Sequence, residues 1–156
     1  MKNLRIPIGH GLNVAFQRWG AGNTKKVLCL HGWLDNSNSF AFLGPYLAEK
    51  CQVECVAIDF VGHGQSDHFH EFNTFSIFAT HTKAVLDALG WEKPHIVGHS
   101  MGANASVLFA GSFPERVDKL ILIEGLGLDL NILYNIICLN LFRLLGFYND
   151  RTSTHI

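Results

Sequence analysis

The chain has 156 residues, of which 48% are hydrophobic and 16% charged, against about 25% charged in a typical soluble domain, so a buried core is within reach and intrinsic disorder is excluded. Twelve Lys and Arg against 13 Asp and Glu leave a net charge of −1, without the cationic excess of a nucleic-acid binder or a polybasic membrane anchor. The length predicts one domain, although single α/β domains commonly need roughly 200–250 residues.

The first residues, Met1 to Pro7, lack an apolar core of the secretory type, which predicts an intracellular protein. Arg5 to Gly9 and Leu12 to Trp19 flank Gly9-His10-Gly11 and read as an opening hairpin, with Leu12, Val14 and Phe16 on one face. Lys26 to Leu30 is a continuous apolar run, the mark of a strand buried on both faces of a parallel sheet, and it ends at His31-Gly32. A helix is predicted from Ser37 to Lys50, a strand over Val53 to Asp59, and a helix through Phe75, Phe78, Ala79, Thr82, Val85, Leu86 and Leu89 that closes at Gly90. Pro94 to Gly98 is the next buried strand, and a helical stretch follows Ser100 and ends near Gly111 and Pro114. Lys119 to Ile123 is the last strand. Alternating apolar strands and amphipathic helices give βαβ units, hence an α/β fold with a mostly parallel sheet flanked by helices.

The apolar region from Leu130 to Phe147 carries Asn131, Asn135, Asn140 and Arg143, which argues against a membrane span and for a buried or interfacial helix. Cys29, Cys51, Cys55 and Cys138 lack paired C-x-x-C spacing and sit mostly in apolar runs, so buried free thiols in a reducing compartment are expected.

Gly98-His99-Ser100-Met101-Gly102 is a G-x-S-x-G pattern between a strand and a helix, the nucleophile-elbow context that gives the pattern meaning. A sharp turn there holds the serine in a strained backbone conformation, and a Cβ on either side would collide with neighbouring chain. The helix that begins at Met101 aims free N–H groups at the spot where charge develops during acyl transfer. The alternative is a chance glycine-rich turn. His31-Gly32-Trp33, at the end of an earlier strand, is placed to give a second oxyanion-hole donor, the Trp33 N–H, paired with that of Met101. His31 is read as shaping its loop by hydrogen bonding and not as a base. Asp59 to Ser66, glycine-rich but without Gly-Lys-Ser/Thr, is read as structural support near the pocket.

These three stretches in this order resemble the α/β-hydrolase family, and His31 to Phe40 together with Gly98 to Gly102 are similar to the serine hydrolase-like proteins within it. The resemblance covers Leu4 to Glu124. It implies an esterase-like serine hydrolase that cleaves an ester, thioester or amide through an acyl-serine intermediate, with Ser100 as nucleophile, Met101 and Trp33 as oxyanion donors, a small acyl substrate and no cofactor. It also brings to mind the cytoplasm, peroxisomes and vesicles. Serine in place of aspartate at the turn argues against epoxide hydrolases and haloalkane dehalogenases.

In the family, an acid and a histidine follow the serine on loops after later strands. Here the C-terminal strands are missing, so the expectation is the N-terminal portion of a hydrolase: residues 1–125 as the first part of the core and residues 126–156 as the start of a lid region or a divergent tail. Glu124 follows the last strand, where some family members place the acid, with a plain loop carboxylate as the alternative. No histidine base is found, since only His155 of the nine histidines follows Ser100 and it lies in a polar terminus. His99 is expected to point away from Ser100 and to pack. The rival expectation is a catalytically inactive truncated isoform that acts, if at all, in binding or regulation, with self-association or chaperone binding through an exposed apolar tail. His63, His68, His70 and Glu71 match no common zinc spacing, so no metal is expected there. The sequon Asn104-Ala105-Ser106 falls within a helix and is dismissed.

Overall fold

The computed structural model describes residues 4–68 and 74–125. Six strands form one sheet: β1 (Leu4–Pro7), β2 (Asn13–Trp19), β3 (Lys25–Leu30), β4 (Val53–Ile58), β5 (His95–His99) and β6 (Leu120–Ile123), in the spatial order β1-β2-β4-β3-β5-β6. β1 and β2 pair antiparallel, as do β2 and β4. The pairs β3–β4, β3–β5 and β5–β6 are parallel. Three helices complete the layers: α1 (Leu43–Lys50), α2 (Ile77–Leu89) and α3 (Met101–Ser112).

Side-chain alternation along β5 assigns the two faces. Val97 joins Val27, Cys29, Cys55 and Phe40 in a cluster against which Leu43 and Leu47 of α1 pack. Gly98, one residue on, faces α3, where a Cβ on it would meet the Ser106 hydroxyl. β4 is buried along its whole length, as a strand covered on both faces must be.

A buried carboxylate in that strand needs partners. Glu54 has them in Lys26 (2.8 Å), the Gly22 N–H (2.9 Å) and Arg18. Burial pushes its acidity one way, and the Lys26 ammonium, the Gly22 N–H and Arg18 outweigh burial, so the carboxyl titrates below the usual range and stays charged.

The fold departs from the sequence expectations in four places. The helix expected over Ser37 to Lys50 is a 3-10 turn, Ser37–Phe40, followed by α1. The Asn36 side chain accepts from the Asn38 N–H and starts the short turn independently. Phe75 lies outside α2, in a turn closed by the Thr74 carbonyl on the Ile77 N–H. β2 is not one-sided, since Ala15 and Gln17 are buried together with Val14 and Phe16. Gln17 finds partners in Ser37 and Asn38, which lets a polar residue occupy the second face. Cys29 and Cys55 are buried free thiols, with their sulfurs 3.5 Å apart, whereas Cys51 is exposed. Cys138 lies outside the described residues, as do His70, Glu71, His155 and the apolar stretch 130–147.

The order of strands creates the site. From β3 the chain crosses to β4 on one side and then returns past β3 to β5 on the other, so the sheet switches direction between β3 and β5. In open α/β sheets, such a switch leaves a crevice at the carboxyl ends of the two strands. Leu30 pairs with Gly98 across this point, so His31-Gly32-Trp33 and His99-Ser100-Met101 leave the sheet side by side.

Candidate active site

Ser100 sits between the end of β5 and the first residue of α3 with φ 51° and ψ −114°, a region that costs a non-glycine residue about 1–3 kcal/mol and is kept only where the surroundings enforce it. The surroundings are the two glycines and two backbone anchors. A Cβ on Gly98 would lie 2.5 Å from the Gly102 carbonyl oxygen, and one on Gly102 would lie 2.1 Å from that of Leu30. The Ser100 N–H donates to the Ile123 carbonyl (2.9 Å), and the Ser100 carbonyl accepts from Ala103 (3.0 Å). The start of α3 is therefore clamped onto the ends of β3 and β6, with Ser100 held at the junction. Ser106, one turn further on, donates to the Gly102 carbonyl at 2.6 Å, which satisfies a buried hydroxyl inside the helix.

The neighbouring loop is tied down as firmly. His31 is fully buried; its Nδ1–H donates to the Gly32 carbonyl (2.7 Å), and its Nε2 accepts from the Phe60 N–H (3.0 Å). Burial lowers its pKa, and the bond to Gly32 offsets only part of that effect. A neutral ring with both nitrogens engaged shapes the loop and has no lone pair left to take a proton. Asp59, at the end of β4, accepts from the Ser37 N–H (2.7 Å) on one oxygen and from the Gln65 N–H (2.8 Å) on the other, while its carbonyl accepts from the Ser66 hydroxyl (2.6 Å). One buried carboxylate thus joins the loop after β3 to the loop after β4, the supporting role read from the glycine-rich stretch.

Gly32 packs against the serine turn. A Cβ on it would lie 3.4 Å from the Ser100 Cβ and 3.2 Å from the His99 Nδ1. Trp33 follows and is 65% exposed. Its N–H and that of Met101 enter no backbone bond among the described residues, and as the first residue of a helix Met101 has no carbonyl one turn back. His99 rests against Gly32, and its Nε2 lies 3.7 Å from the Glu124 carboxylate, which is 83% exposed. That pairing was not visible in the sequence, where His99 read only as a packing residue and Glu124 only as a loop carboxylate or an acid. Among the described residues, no side chain hydrogen-bonds the Ser100 hydroxyl, and no group of three metal-ligating side chains is found.

Aromatic rings wall the space beside Trp33. His63 lies 5.1 Å from His31, 5.7 Å from Trp33 and 6.2 Å from Phe78, centroid to centroid. His63 therefore joins a ring cluster from a loop whose neighbours Gly62, Gly64 and Gln65 are exposed.

Strand order, the serine turn and the loops around it define a family: this chain belongs to the alpha/beta hydrolase fold family, whose model matches residues 25–145. It is 39% identical over 130 residues to a serine hydrolase-like protein of Dictyostelium discoideum, an alignment that covers 81% of this chain and 36% of that one. It is 42% identical over 123 residues to a human serine hydrolase-like protein, covering 78% of this chain and 58% of the relative. The chain thus spans from about a third to somewhat over half of these relatives' length. Among solved structures, a serine hydrolase from Cycloclasticus zankles superposes with a TM-score of 0.75 at 31% identity, covering 82% of this chain and 47% of that one. The 2-hydroxy-6-oxo-6-phenylhexa-2,4-dienoate hydrolase of a Rhodococcus strain superposes with a TM-score of 0.72 at 28% identity, covering 82% and 47%. Family and neighbours relate this chain to hydrolases. Among the described residues, no helix is long and apolar enough to cross a membrane.

Proposed function

We propose that Ser100 is the nucleophile of a serine hydrolase centre that cleaves esters, thioesters or amides of small acyl groups. The observation that carries this reading is the backbone of Ser100, held at φ 51° and ψ −114° on the sheet's switch point, because strain of that kind persists where it presents a reacting group. In the reaction, the Ser100 Oγ attacks the acyl carbonyl, and the tetrahedral oxyanion accepts hydrogen bonds from the backbone N–H groups of Met101 and Trp33, the oxyanion hole, with the positive end of α3 behind Met101. Collapse breaks the bond from acyl carbon to leaving group, the proton of the Ser100 hydroxyl departs with the alcohol, thiol or amine, and water hydrolyses the acyl-Ser100 ester that remains, which releases the acid and restores the hydroxyl. Residues 1–125 are the core that presents this half of the centre, and residues 126–156 the start of a lid or a divergent tail. Glu124 is the candidate acid, and its partner among the described residues is His99.

A second reading, a catalytically inactive binding protein, draws on the Ser100 hydroxyl having no hydrogen-bonded base among the described residues. Turnover of p-nitrophenyl butyrate separates the two. The hydrolase reading expects p-nitrophenol release above background that Ser100→Ala removes, a loss of about 10⁴-fold or more for a triad-dependent serine. Equal rates in the two proteins would contradict the hydrolase reading, and rates at background in both favour the second.

A further inference from the structure

We infer that the cavity beside Trp33 receives an aryl acyl group, an inference about substrate class that rests on the reading of Ser100 for its orientation. The cavity measures about 410 Å³, within the roughly 300–1,000 Å³ typical of small-molecule sites. Among the described residues, Trp33, His63, Phe75 and Phe78 supply its rings, and His68 and Thr74 its other polar side chains. Neighbouring rings meet edge to face or nearly so: Trp33 and His63 at 76°, His63 and Phe78 at 63°, Phe75 and Phe78 at 74°. A further ring among rings set this way can meet them edge to face, a contact that adds to what its buried area alone provides.

The cavity adjoins the loop that approaches Ser100. Trp33 directly follows Gly32, where an added Cβ would lie 3.4 Å from the Ser100 Cβ, and it is one of the lining residues of the cavity. An acyl group whose carbonyl oxygen sits at the Trp33 and Met101 N–H groups has this space beside it. A flat ring fills it, whereas an acetyl group leaves the walls in contact with water. A saturated ring of equal size buries similar area without the edge-to-face contacts, so the comparison of phenyl with cyclohexyl isolates the aromatic contribution.

The test is calorimetric titration of phenylacetate, cyclohexylacetate and acetate into the full chain and into its Ser100→Ala form, with p-nitrophenyl esters of the same acids assayed on the unaltered chain. Phenylacetate is expected to bind both forms roughly two- to tenfold more tightly than cyclohexylacetate, with acetate weakest. Phe75→Leu, at a ring 40% exposed, and Trp33→Leu are each expected to erase the preference for phenyl. The ester assay is expected to show the same order in kcat/KM. Equal binding of phenylacetate and cyclohexylacetate overturns the inference. Preferential binding of phenylacetate without any turnover supports the aryl cavity and contradicts the reading of Ser100, so the two failures are distinguishable.

Discussion

Replacing Gly102 by alanine is expected to destabilise the protein by about 3 kcal/mol, at the upper end for overpacking, and to lower Tm by roughly 6–12 °C. A Cβ at this position would lie 2.1 Å from the Leu30 carbonyl oxygen and 2.7 Å from that of His31. Both are backbone atoms at the end of the central strand, so no side-chain rotation relieves the clash, and α3 must lift away from β3. Lifting α3 also moves Met101 and releases the backbone that holds Ser100. Gly111→Ala is the internal control. It lies in the same helix with nothing within 4 Å of its added Cβ, so alanine there is expected to leave Tm unchanged or to raise it, by up to about 1 kcal/mol of helix propensity. Thermal unfolding followed by circular dichroism reads both. A Gly102→Ala protein that melts with the unaltered chain would show that the contact between α3 and β3 is not close.

Asp59→Ala is expected to cost about 3 kcal/mol. Removing the carboxylate strips the acceptor from two backbone N–H groups, those of Ser37 and Gln65, and an orphaned buried donor costs about 1–3 kcal/mol. The loss is not confined to stability, because the carboxylate joins the loop that carries Trp33 to the loop that carries His63. Both line the aromatic cavity, so phenylacetate binding is expected to weaken along with Tm. Denaturant unfolding gives the first quantity and calorimetric titration the second. A midpoint equal to that of the unaltered chain would mean that water replaces the carboxylate at both N–H groups.

Those two sites show how differently sequence exposes structure. The serine turn was legible because its requirements are local: two glycines two residues either side of Ser100, a buried strand before it and a helix after it. The structure places the Gly98 and Gly102 close approaches where that reading expects them. The parallel strands were legible for a similar reason, since runs such as Lys26 to Leu30 have few alternatives once turn residues bound them.

Asp59 was legible only in part. Its place before a glycine-rich turn suggested support, but its two acceptor bonds reach residues 22 and 6 positions away, and pairings of that kind depend on how loops meet in space. The His99–Glu124 pairing is less visible still, because it requires β5 and β6 to be neighbours in register, with His99 opposite Ile123. The aromatic cavity draws its rings from the loop after β3, the loop after β4 and the start of α2. Nothing in the spacing of Trp33, His63 and Phe78 along the chain announces that they meet. The helix read as continuous from Ser37 to Lys50 failed for an opposite reason: periodicity was respected, but Pro45 has no N–H to donate to the Ala41 carbonyl, so the helix restarts with the proline in its first turn.

The most direct test of the account asks whether Ser100 is chemically activated. The purified full chain, shown by circular dichroism to be folded, is treated with a fluorophosphonate probe, which phosphonylates a nucleophilic serine with loss of fluoride, and the adduct is located by peptide mass. The account predicts one adduct on Ser100 and none on the Ser100→Ala chain. A folded chain that takes no label, or a Ser100→Ala chain that labels at the same rate, would contradict it.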